Sequence, residues 1–99
     1  MNYKISDQAI ELNAKLEVFM EQYIYPHEKD YDEFTSNQDN LWQYPDWYEG
    51  LKNEAKKQDL WNLFLPKEYT PWSPGLTNVE IALLFETMSR APWSQQIFN

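Results

Sequence analysis

Cysteine is missing from this 99-residue chain, which removes disulfides and thiolate metal sites from consideration. Glycine occurs twice, at Gly50 and Gly75, too sparsely for a loop that cradles phosphates. Histidine occurs once, as His27, so a Ser–His or multi-His centre has little to build from. No stretch approaches the ~18 consecutive apolar residues of a membrane-spanning helix. Basic residues number 8 against 16 acidic ones, a formal charge of −8.

That charge is lopsided. Residues 1–49 hold 11 acidic and 3 basic side chains, whereas residues 50–99 hold 5 of each. An acidic first half repels phosphate backbones and anionic lipid, so neither nucleic acid nor membrane is an expected partner. The start, Met1-Asn2-Tyr3-Lys4, carries no basic flank followed by an apolar run, so no signal peptide is visible and a cytoplasmic setting is the expectation. What is plentiful is aromatic: 5 Trp, 7 Tyr and 5 Phe. A chain of this length with that apolar supply makes one small domain spanning residues 1–99.

Helical periodicity marks three main stretches. Ser6 is placed to cap a first helix, with Asp7 in its first turn and an Ile5–Ile10 staple across the cap. Leu12, Leu16, Phe19, Met20 and Tyr23 form its apolar stripe. Pro26 kinks or ends it near Tyr25, and a further helical turn over 28–34 can follow. Residues 35–44 read as a polar loop, with Leu41, Trp42 and Tyr44 expected to pack it down. A second helix opens at Pro45-Asp46, where Asp46 and Glu49 have capping-box spacing. Trp47, Tyr48, Leu51 and Ala55 are its stripe, Lys52, Lys56 and Lys57 suit its C-terminal dipole, and Asp59 is where it breaks.

Leu60-Trp61-Asn62-Leu63-Phe64-Leu65, closed by Pro66, reads as a buried extended segment, and residues 66–76 as a loop with turns. A third main helix starts at Thr77, with Thr77 and Glu80 as a capping box, and Pro92 stops it. Val79 to Met88 is apolar around nearly its whole circumference, as in a bundle interior. Three helices cannot cover such a surface, so self-association or a bound partner is expected through it and through Ile97-Phe98.

Few residues offer chemistry. His27 has acidic neighbours but only a partial ligand set, and a solvated acidic face explains it better. Glu80 and Glu86 are the carboxylates best placed for perturbation on the apolar helix. The capping box accounts for the first, and pairing with Arg90 for the second. Trp47, Tyr48, Trp61, Phe64 and Phe85 fall at core-like positions, whereas Trp72 and Trp93 sit in Pro-containing loops where they can mark an interface. No catalytic, cofactor-binding or metal-binding residue is assigned.

The order of landmarks is distinctive: Tyr25-Pro26, Tyr44-Pro45, Leu60-Trp61-Asn62-Leu63-Phe64-Leu65-Pro66, Pro74-Gly75-Leu76-Thr77-Asn78-Val79-Glu80, then Arg90-Ala91-Pro92-Trp93. It resembles the N-terminal α-helical domain of acyl-CoA dehydrogenases, especially the long-chain-like branch, over nearly the whole chain. Asp59 stands where members usually have Gly, and Trp72-Ser73-Pro74 departs from a glycine-rich turn. The resemblance implies an all-α fold: three main helices of an incomplete N-terminal bundle, completed by self-association. In the family, α,β-dehydrogenation of acyl-CoA thioesters uses FAD and a glutamate from domains with no counterpart here. This chain alone would therefore be catalytically silent, bind no cofactor, and meet acyl-CoA only in a completed enzyme. The implied partners are a second copy or a chain carrying the missing domains. The alternative is a freestanding acidic helical module that reuses the scaffold for protein binding.

Overall fold

The computed structural model describes residues 4–65 and 67–99, with Lys67 described in its backbone alone. Helix α1 spans Asp7–Phe19, and the Ser6 hydroxyl caps it by accepting from the Ala9 amide at 3.1 Å. Leu16, Phe19 and Met20 are buried as the stripe requires, and Leu12 and Tyr23 pack half-buried beside them. The staple is not formed as expected. Ile5 packs on the core, but Ile10 is exposed and Ala9, one position earlier, takes the buried place.

Pro26 has the effect its chemistry dictates. It lacks an N–H and its ring crowds the preceding turn, so the α-helical ladder cannot run through it. The chain relaxes into a π turn over Met20–Ile24, tightens into a 3₁₀ turn over Tyr25–His27, and resumes as α2 over Glu28–Thr35. The loop that follows packs down only through Tyr44, whose ring lies 4.5 Å from that of Tyr48 and whose hydroxyl donates to Gln96. Leu41, Trp42 and Tyr44 are all exposed, with Trp42 at 93 % and in left-handed backbone at φ 69°.

Helix α3 spans Tyr48–Lys57, and the Asp46–Glu49 capping box does not form. The helix begins after a turn in which the Tyr48 amide donates to the Pro45 carbonyl at 3.0 Å, leaving Trp47 as an N-cap with no side-chain bond. Its end is as expected, with Asp59 at φ 61° after Gln58. The segment from Leu60 to Leu65 is not extended. It is a series of turns around Asn62 at φ 58°, which lets Leu60 and Leu63 both reach the core. Pro66, read as the closure of this run, lies outside the described residues. Gly75, at φ 74°, supplies the left-handed turn before α4, and the Ser73 hydroxyl braces it by accepting from the Gly75 amide and donating to the Leu65 carbonyl.

Helix α4 spans Asn78–Met88, and its Thr77–Glu80 capping box is complete in both directions. A 3₁₀ segment over Pro92–Ile97 follows. Ile97 and Phe98, expected at an interface, are instead fully buried. The Phe98 ring meets Phe19 edge-on at 5.3 Å, and its carbonyl accepts from the Leu63 amide at 3.3 Å.

The molecule thus has four α-helices, three of them the expected main ones, and no strand among the described residues. Side-chain contacts fix their directions. Ser6 with Glu80, Asn13 with Thr87, and Met20 with Ser94 are each 74 residues apart, so α1 and α4 lie parallel and in register. Tyr23 with Glu54 and Lys15 with Gln58 set α3 antiparallel to α1. Leu16, Phe19, Leu51, Ala55, Leu84 and Met88 belong to the core these helices enclose.

Candidate functional site

The most perturbed carboxylate is Glu80, only 4 % exposed. One of its oxygens accepts from the Ser6 amide at 2.8 Å and the Ser6 hydroxyl at 2.5 Å; the other accepts from the Thr77 amide at 3.0 Å. Ser6 in turn caps α1, so one side chain ties the starts of two parallel helices together. The Ser6 hydroxyl bond, then the backbone bonds of Thr77 and Ser6, hold the carboxyl down to about 2 despite its burial. A base that acidic accepts protons poorly near neutrality. The capping assignment from sequence stands, but the bond to Ser6, 74 residues away, had no local signal.

The other sequence candidates are dispersed. Arg90 is held charged first by a hydrogen bond with Tyr25, and the Glu86 charge contributes least of the named influences. The expected Glu86–Arg90 pairing is therefore secondary to a contact with Tyr25 at the kink. His27 bonds through Nδ1 with the Tyr23 carbonyl at 2.8 Å and its ring lies 4.2 Å from Trp47. No group of three potential metal ligands occurs among the described residues.

The aromatic residues divide into packed and presented sets. Trp93 is packed: it stacks on Tyr31 at 4.7 Å, meets Trp47 edge-on, and donates from Nε1 to Glu28 at 3.0 Å. Tyr48 donates to the Trp93 carbonyl at 2.7 Å, and burial, followed by the neighbouring Tyr44 and Tyr31, raises its pKa so that it remains a donor. Trp72, by contrast, is 71 % exposed beside an open groove of about 420 Å³. Helix α4 is only partly enclosed. Leu84 and Met88 are buried, whereas Val79 and Phe85 are 37 % and 46 % exposed. What the chain offers is therefore surface: an apolar helix with an uncovered side and two isolated exposed tryptophans.

No protein-family model matches the chain. Mouse acyl-CoA dehydrogenase family member 10 is 39% identical over 98 residues, which are 96% of this chain and 9% of that protein. Human acyl-CoA dehydrogenase family member 11 is 36% identical over 92 residues, 90% of this chain and 11% of that protein. Among solved structures, a Mycobacterium abscessus protein assigned as an acyl-CoA dehydrogenase superposes with a TM-score of 0.80 at 32% identity, covering 97% of this chain and 25% of that one. The chain thus spans about a tenth of the first two relatives and a quarter of the third.

Acyl-CoA dehydrogenases use FAD. No buried side-chain nitrogen or oxygen among the described residues lacks a hydrogen-bond partner.

Proposed function

We propose that this chain, similar over nearly its whole length to acyl-CoA dehydrogenases, serves as the N-terminal helical portion of such an enzyme. The observation that carries this reading is the whole-chain superposition on a quarter of a solved relative. Its role is that of a wall and a frame. Glu80 and Ser6 fix α1 against α4, and the uncovered side of α4 is offered to the rest of the enzyme. Dehydrogenation of an acyl-CoA thioester, the flavin and the proton-abstracting glutamate belong to that completed body. The chain alone is silent and contributes no reacting group. A cytoplasmic setting accords with its acidity, and no described helix is long and apolar enough to cross a membrane.

A chimera tests this. The matching segment of the Mycobacterium abscessus relative is replaced by this chain, and flavin content and acyl-CoA oxidation are measured. Retention of bound flavin and of activity supports the reading. A soluble, helical chimera with neither refutes it. The isolated chain supplies the complementary result: a flavin absorption band after incubation with FAD, or turnover of an acyl-CoA thioester, would show that it is not silent.

A further inference from the structure

One connected array of rings is assembled from α2, the loop after it, α3 and the last 3₁₀ segment. The Trp47 ring lies 5.6 Å from Trp93, Trp93 lies 4.7 Å from Tyr31 and 6.3 Å from Tyr48, and Tyr48 lies 4.5 Å from Tyr44. Packing explains the inner rings, with Tyr48 buried and Trp47 and Trp93 half-buried against the core. It does not explain the outer end. Tyr44 is 54 % exposed, and its hydroxyl is ordered by donating to Gln96 at 2.5 Å. The array therefore runs from indoles at the edge of the core to a phenol in water.

The hydrogen bonds along this array give it a direction. An indole or a phenol gives up an electron readily only when its N–H or O–H proton has a base to go to. Trp93 has one, because its Nε1 donates to the Glu28 carboxylate at 3.0 Å. Tyr48 has none: its hydroxyl donates to the Trp93 carbonyl at 2.7 Å, and burial keeps it protonated. Burial likewise favours the protonated form of Tyr31. The Tyr48 ring can pass an electron but is a poor place for a radical to rest. Tyr44 can release its proton to water, and near neutrality a phenoxyl radical is somewhat more stable than an indolyl radical. An oxidising equivalent placed on Trp93 thus runs downhill to Tyr44.

We propose that Tyr44 is an oxidative modification site, supplied by electron transfer through Tyr48 to Trp93. The co-reactant is a small one-electron oxidant, for which azide radical serves as the probe. Azide radical takes one electron from the Trp93 indole and becomes azide ion, and the Nε1 proton passes to Glu28. An electron then moves from Tyr44 by way of Tyr48 to Trp93. Glu28 returns the proton to Trp93, and the Tyr44 proton leaves to water. The net change is one azide radical reduced, one Tyr44 phenol oxidised to phenoxyl and one proton released. Two such phenoxyls from separate chains join through a carbon–carbon bond as dityrosine, which needs no further oxidant. This inference goes beyond the proposed function and does not rest on it.

Tyr69 is the internal control. It is 55 % exposed, matching Tyr44, yet it makes no ring contact among the described residues. The test uses the full chain carrying Trp42→Asn, Trp61→Phe and Trp72→Phe, so that Trp47 and Trp93 are its only indoles. Azide radical, which prefers indole to phenol at neutral pH, is generated by pulse radiolysis. The indolyl absorption should convert to phenoxyl absorption in a first-order step whose rate is independent of protein concentration. Dityrosine, located by mass spectrometry of peptides, should form at Tyr44 in excess over Tyr69. Adding Trp93→Phe should remove that excess. Where that variant does not fold, Glu28→Gln keeps the rings and an acceptor for Nε1 but removes the base, and it should lower the yield at Tyr44. Equal modification of Tyr44 and Tyr69, cross-links concentrated at another phenol, or a conversion rate that scales with protein concentration overturns the inference. So does an excess at Tyr44 that survives Trp93→Phe.

Discussion

The start of α1 and the loop beyond its end are held by opposite means. At the start, a carboxylate is withdrawn from water and accepts three donors, and two helices are fixed in register by it. At the loop, an indole is pushed into water on strained backbone. A buried anion with partners removed is costly, whereas an exposed aromatic removed costs the fold nothing. The first region is therefore architecture and the second is surface held in reserve. The difference teaches that the most conspicuous residue is not always the structural one: Glu80 reads in sequence as a local cap, yet it ties two helices together.

Substitutions separate the two regions, in order of effect. Phe98→Ala empties a fully buried site against Phe19 and should cost about 3–5 kcal/mol in chemical denaturation. A near-neutral result would place Phe98 at an interface after all. Glu80→Ala removes the tie between helices and leaves the Ser6 and Thr77 amides without their acceptor, for about 2–3 kcal/mol.

Its pH dependence has a definite sign. The folded carboxyl, at about 2, lies below its ordinary 4.5, so its stabilisation is present above 4.5 and is lost as pH falls through 2. The gap in Tm between the wild-type chain and Glu80→Gln should accordingly narrow between those pH values. A constant gap would show that the ionised form is not what stabilises. Asp59→Gly should raise stability by about 0.5–1 kcal/mol, because the left-handed turn at φ 61° then carries no Cβ penalty. Trp42→Asn should move stability by no more than about 0.5 kcal/mol in thermal unfolding.

Local signals carried much of this fold. The Ser6 cap, the break at Pro26, the left-handed Asp59 and the Thr77–Glu80 box each depend on chemistry within about one helical turn, and each is found where the sequence places it. One failure was local, and the others arose where distant packing decides. Asp46 and Glu49 have capping-box spacing, yet the turn from Pro45 starts α3 later. Leu60 to Leu65 has strand-like composition, but with no neighbouring strand to pair with, turns at Asn62 serve the core better. Ile97 and Phe98 close the core against Phe19 and Leu63, contacts that no local periodicity announces. The presented surface was half legible. An apolar circumference on α4 signalled a helix short of cover, and Trp72 was flagged by its prolines, whereas Trp42 reads in sequence like a residue that packs.

If this chain is framework, its best-placed carboxylate is locked as an anion between two helix starts. Carbon-13 NMR of the Glu80 side-chain carboxyl through an acid titration addresses that most directly. The expected midpoint is near 2, with the resonance unchanged through neutrality. A midpoint at or above 4.5 would mean a carboxyl free of Ser6 and available for proton transfer, and the framework reading would be wrong.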